Sequence, residues 1–223
     1  MNFLGAYLRT SPAHARVLPY IIIVGLTVLQ EKFDGPLRYW FYLAKIVVGL
    51  WCIWEMRTLA PEVRWAFSWE ALVVGVGVFC IWVGLDPFYP KFLGKSGAPW
   101  NPFKQFGENS GIAWVFVAGR TFGSALIVPP IEEAFYRSFL YRYFVRIEFT
   151  KLPLSQLHWL SLIVTALIFG FSHHQWLAGI LCGLAYQWLV IRKNRLGDAM
   201  MAHAVTNFLL GIWVVWKGAW QFW

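Results

Sequence analysis

Apolar residues come in seven runs, at about 17–30, 37–56, 67–85, 111–145, 158–173, 176–191 and 199–216, each bounded by charge, proline or glycine. An α-helix needs roughly 20 apolar residues to cross the hydrocarbon core. The pattern predicts an all-α fold, a polytopic membrane helical bundle of about seven to eight transmembrane helices, built as a single integral-membrane domain over 1–223. The fourth run is much longer than one crossing requires. Pro129-Pro130 lies within it, and an interior proline removes a helix hydrogen bond and clashes with the preceding turn. A kink is expected there, with one bent helix or two pieces both compatible with the pattern. The long polar connection at 86–109 carries Pro87, Pro90, Pro99 and Pro102 and reads as an extramembrane loop or lid.

Composition removes the soluble alternative. Only 13% of the 223 residues are charged and 59% are hydrophobic, whereas soluble domains carry about 25% charge. The formal charge of +8 does not imply nucleic-acid binding, because Lys and Arg gather in the connections. A cytoplasmic N-terminus places Arg57, Arg64, Arg142, Arg146, Lys151, Arg192, Lys193 and Arg195 inside, against Lys32, Arg38, Lys91, Lys95, Lys104 and Lys217 outside. Arg9 and Arg16 precede the first run without an A-x-A site after it, so that run reads as a retained helix. Trp213, Trp216, Trp220 and Trp223 fall on one helical face and read as a lipid-interface stripe. Cys52, Cys80 and Cys182 form no metal or disulfide pattern. Gly119 with Gly123, and Gly179 with Gly183, have the spacing that lets helices approach closely.

The polar residues inside these runs carry the chemistry. Ionisable groups in the hydrocarbon are costly and mark functional sites by default. Glu132 and Glu133 are adjacent, so they point about 100° apart on a helix. Glu133 and Arg137 are i and i+4 and share a face. This divides the labour: Glu133 pairs with Arg137 as a strut, and Glu132, without a local counter-charge, is the candidate general base. Phe169 lies one turn before His173, where its ring can fix the imidazole; His174 follows directly and faces elsewhere. His203 and Asn207 are again i and i+4, behind Asp198 as the expected N-cap of the last helix, and both can donate hydrogen bonds to an oxyanion. Measured along ideal helices from Arg146 and His158, Glu132 and His173 reach a common depth of about 21–22 Å.

Glu132-Glu133-x-x-x-Arg137, Phe169-x-x-x-His173 and His203-x-x-x-Asn207, in that order on successive segments, resemble the CAAX prenyl protease and bacteriocin-processing (CPBP, or Abi) family of glutamate-type intramembrane endopeptidases. The resemblance covers roughly 111–215, the expected catalytic core. It implies that Glu132 and His173 activate a water, that His203 and Asn207 stabilise the oxyanion, and that Glu133, Arg137 and Phe169 support them, with no metal and no cofactor. The substrate it implies is a membrane-associated protein or peptide in the lipid bilayer, and the location a bacterial inner membrane. The overall form also resembles the branch found beside exosortase protein-sorting systems, which implies sorting components of that type as partners. Arg120 has no counterpart in these motifs. Two alternatives stay open: a zinc-dependent membrane protease with Glu132, His173 and His203 as ligands, and a non-catalytic membrane peptide-binding or immunity protein.

Overall fold

The computed structural model describes residues 3–91 and 99–223. A short helix α1 (Phe3–Leu8) precedes α2 (His14–Gln30), α3 (Leu37–Met56) and α4 (Trp69–Leu85). After α5 (Pro102–Phe106), the fourth apolar run forms α6 (Gly111–Leu126), α7 (Val128–Glu133), a π-helical stretch over Ala134–Leu140 and α8 (Tyr141–Val145). Then come α9 (Trp159–Phe171), α10 (Trp176–Lys193) and α11 (Gly197–Lys217). Each of the seven apolar runs is helical. Leu37–Met56, Trp69–Phe88, Gly111–Val145 and Gly197–Lys217 are long and apolar enough to cross a membrane, and His14–Gln30 and Trp159–Phe171 are shorter apolar helices. The protein is an integral-membrane helical bundle.

Local sequence explains most of the boundaries. Ser68 caps α4 by accepting from the Ala71 amide (3.2 Å), and His158 Nδ1 caps α9 at the Ser161 amide (3.2 Å). Asn194 and Gly218 end α10 and α11 in the left-handed conformation. The long fourth run bends where proline requires it. The turn at Ile127 separates α6 from α7, whose first turn holds Pro129 and Pro130. Asp198 is not the cap of α11. Leu196 holds that position, and Asp198 lies buried in the first turn, bonded to Arg195 Nε at 2.5 Å, where its charge complements the helix dipole.

The bundle turns large apolar side chains outward and packs small ones inward. Val47, Trp54, Trp69, Val73 and Leu160 are exposed, as suits a lipid-facing surface, while Ala113, Ala166, Ala178, Ala199 and Ala202 are buried. The helix α11 packs along α4 and α6, and α10 packs on α9 and α4. Both glycine pairs lie at such contacts. A methyl group at Gly179 would sit 2.9 Å from Gly170 Cα, and one at Gly119 would sit 2.6 Å from Leu43 Cδ2.

Two expectations about the ends of the bundle change. The four tryptophans are not one helical stripe, because α11 stops at Lys217 and the chain turns back. Trp216 is exposed, but the Trp223 ring packs on the buried Trp100 at 5.5 Å. The connection at 86–109 is also more than a polar loop: Trp100 is buried against Tyr39 and Tyr42, and α5 packs on α6. Lys95 and the middle of that connection lie outside the described residues.

At the opposite end, Arg16 joins Glu62 with its Nε 2.7 Å from Oε1 and its Nη2 2.9 Å from Oε2. Ser138 donates to the same carboxylate, and Arg142 Nη2 lies 3.5 Å from it. Burial opposes ionisation of Glu62, yet Arg16 and the Ser138 hydroxyl hold its pKa below the usual carboxylate value. This cluster ties α2 and the connection before α4 to the π-helical stretch.

Candidate active site

The two adjacent glutamates face different surroundings. Glu133 is fully buried, with Oε2 3.2 Å from Arg137 Nε and Oε1 2.9 Å from His203 Nδ1. Arg137 is fully buried as well, and its guanidinium lies 4.6 Å from the centre of the Phe169 ring. Glu132 instead lines a cavity of about 250 Å³ among α3, α4, α6, α9 and α11. Its Oε2 is buried and accepts no hydrogen bond from a described residue. The π-helical stretch begins directly after Glu133, and such departures from α-geometry recur at functional sites. Here it carries Tyr136, Arg137 and Ser138 inward together.

His173 lines the same cavity and His174 does not. The α9 helix ends at Phe171, so His173 lies just beyond it and is held from several sides. Its Nδ1 lies 2.7 Å from the Phe169 carbonyl oxygen, its ring is 4.6 Å from the Phe169 ring, and Trp82 of α4 meets it edge-on at 5.4 Å. A carbonyl only accepts, so Nδ1 carries the proton and the neutral ring presents Nε2 as an acceptor. Phe169 thus holds His173 through its backbone oxygen as well as its ring, and its ring also packs on Arg137. A chain of hydroxyls runs behind: Ser172 Oγ is 3.1 Å from His173 Nδ1, Tyr136 donates to Ser172 at 3.2 Å, and Tyr20 of α2 is 2.5 Å from Tyr136.

His203 and Asn207 reach the cavity from α11. Glu133, ionised beside Arg137, can only accept, so His203 Nδ1 donates to it. A donor role for Nε2 then requires the doubly protonated ring. Asn207 Nδ2 donates to the Ser124 carbonyl at 2.9 Å, which fixes the amide orientation and leaves its second hydrogen for another acceptor. Every residue expected from the three motifs is therefore in or directly behind one cavity: Glu132, His173, His203 and Asn207 line it with Phe169, while Glu133 and Arg137 support it.

Residues 113–209 match the family model described as type II CAAX prenyl endopeptidase Rce1-like. That stretch of the chain is similar to the Rce1-like family. The match spans α6 to most of α11, hence every helix that contributes Glu132, His173, His203 and Asn207, and less than half of the 223 residues. No curated protein and no solved structure matches the chain. The match brings no exosortase-type partner with it.

Among the described residues no three His, Cys, Asp or Glu side chains group closely enough to hold an ion.

Pattern reasoning missed part of the cavity. Lys45 of α3 and Arg120 of α6 line it together with the acid and imidazoles. Arg120 has no place in the three motifs, and Lys45 lies outside them. Lys45 carries a signal of the same kind as Glu132, a charge within an apolar run.

Proposed function

We propose that the protein is a glutamate-type intramembrane endopeptidase that hydrolyses a peptide bond in a membrane-associated protein or peptide without a metal ion. The observation carrying this reading is the convergence of Glu132, His173, His203 and Asn207, from three separate segments, on one cavity below the lipid-facing surface. In the proposed reaction a water between Glu132 and His173 Nε2 gives up a proton to the carboxylate as its oxygen attacks the peptide carbonyl. His203, as the imidazolium, and the second Asn207 hydrogen donate to the oxyanion. Collapse of the tetrahedral intermediate breaks the C–N bond. The proton held by Glu132 passes to the leaving amine, and the other product is a carboxylic acid. Glu133 and Arg137 position His203, and Phe169 positions His173.

Catalytic core and whole bundle divide accordingly: we assign the chemistry to 111–215 and the enclosure of the cavity to the complete 1–223 domain. The substrates to assay first are prenylated CAAX peptides, after the family description. The test is cleavage of such a reporter by purified protein in detergent. Glu132→Ala and His173→Ala are expected to lower kcat by about 10²–10⁴-fold, and a chelator to leave the wild-type rate unchanged. Wild-type turnover by Glu132→Ala would end the proposal.

A further inference from the structure

The connection between α9 and α10 has four residues, Ser172–Gln175, and it brings two polar side chains to the cavity. His173 is one. Gln175 is the other, and it belongs to none of the three motifs. The turn that carries them is braced on both sides. Gly170 lets α9 and α10 meet closely, since a methyl group there would sit 2.7 Å from the Trp176 carbonyl oxygen. The Phe171 and Trp176 rings stack across the turn at 5.6 Å. Gln175 starts α10 through its backbone, its carbonyl accepting from the Gly179 amide at 2.9 Å. Its side chain takes no part in this. Gln175 holds the N-cap position, yet its side chain does not cap the helix. The residue is 6% exposed, and its Nε2 is buried with no hydrogen-bond partner among the described residues. A buried carboxamide with unused donors is costly, and a polar ligand in the cavity would offset that cost.

On the reading above, which this deepens, we propose that the Gln175 side chain binds the main chain of the peptide being cleaved. Nε2 donates to the carbonyl of one substrate residue, and Oε1 accepts from the N–H of the same residue. A carboxamide carries a donor and an acceptor side by side and no charge. In extended peptide the N–H and C=O of one residue point to the same side, as they do towards a neighbouring strand. The two groups therefore match without any demand on the substrate side chain. His173 and Gln175 are two positions apart, so their Cα atoms lie within about 7.6 Å of each other. Extended peptide covers about 3.4 Å per residue, which places the bound residue within about two residues of the bond attacked. Because the same braced turn carries both side chains, the grip on the main chain sets the scissile carbonyl relative to His173.

The experiment uses a labelled prenylated CAAX peptide and a set of analogues, each with one backbone amide replaced by an ester. An ester lacks the N–H and has a weaker carbonyl acceptor. Cleavage is measured with wild type, and binding by anisotropy to Glu132→Gln protein in detergent. One ester, within two residues of the cleaved bond, is expected to react and bind about 2- to 10-fold less well than the parent, the size of one neutral hydrogen bond. In Gln175→Met that penalty is expected to fall to near one while the penalties at other positions stay. The parent peptide should show the loss in KM more than in kcat. The penalty compares two ligands on the same protein, so it is insensitive to the fraction folded. Gln175→Asn, too short by one methylene to reach, gives the same measurement if the methionine variant is not recovered. An ester profile in these variants identical to wild type would overturn the proposal, and so would a wild type indifferent to every ester. A Gln175-dependent penalty in binding with no cleavage by wild type would leave the main-chain contact standing and remove the protease.

Discussion

Replacing Arg137 by methionine removes the cation from a fully buried pair while keeping most of the side-chain volume. Glu133 would then have only His203 opposite it, in a position with no access to solvent. Removing one member of a buried pair costs about 3–5 kcal/mol, because the other charge is left uncompensated. For a chain of this size each kcal/mol lowers the unfolding midpoint by about 2–4 °C. The expected fall for Arg137→Met is therefore about 6–20 °C, measured by circular dichroism at constant detergent. Glu133→Gln leaves a buried guanidinium and should lose a similar amount. The double variant Glu133→Gln/Arg137→Met carries neither charge and should regain at least half of the loss. Cleavage should not return with it, because His203 would face a neutral amide in place of the carboxylate that orients it. A midpoint for Arg137→Met within about 2 °C of wild type, or a double variant below both singles, would refute the assignment of this pair as the buried support.

Three further outcomes follow from other contacts. Asn207→Ala should lower kcat by about 10²–10³-fold with a small change in KM, as loss of an oxyanion donor does; an unchanged kcat would leave the residue only its bond to Ser124. Gly179→Ala should destabilise by about 1–3 kcal/mol, because its methyl meets the Gly170 backbone at 2.9 Å, whereas Gly77→Ala, with nothing within 4 Å, should be neutral or stabilising in a thermal scan. Glu62 has a lowered pKa in the folded protein, so its contribution is complete above the ordinary value of 4.5 and is lost as pH falls through the folded value. Between pH 5 and pH 3 the wild-type midpoint should accordingly drop more steeply than that of Glu62→Gln, and parallel curves would contradict the Arg16–Glu62 bond.

The order of apolar runs was enough to locate seven helical segments, four of them among the described residues long and apolar enough to cross a membrane rather than the seven to eight expected, because spanning imposes length and hydropathy on each segment separately. The i and i+4 spacings likewise paired Glu133 with Arg137 and Phe169 with His173, since helical geometry sets those neighbours without help from the rest of the chain. Adjacency alone also divided Glu132 from Glu133. Tertiary structure decided what each face meets. His203 reaches Glu133 across 70 residues of sequence, and Trp82 of α4 fixes His173. Which of His173 and His174 enters the cavity depends on where α9 stops, and the inward fold of Trp223 depends on the turn after Lys217. Lys45 and Arg120 are charges in separate apolar runs, and the packing of α3 on α6 makes both line one cavity. The physical reason is common to all of these: a helix's own period determines which residues share a face, but only packing against other helices determines whether that face meets lipid, a partner charge or a cavity.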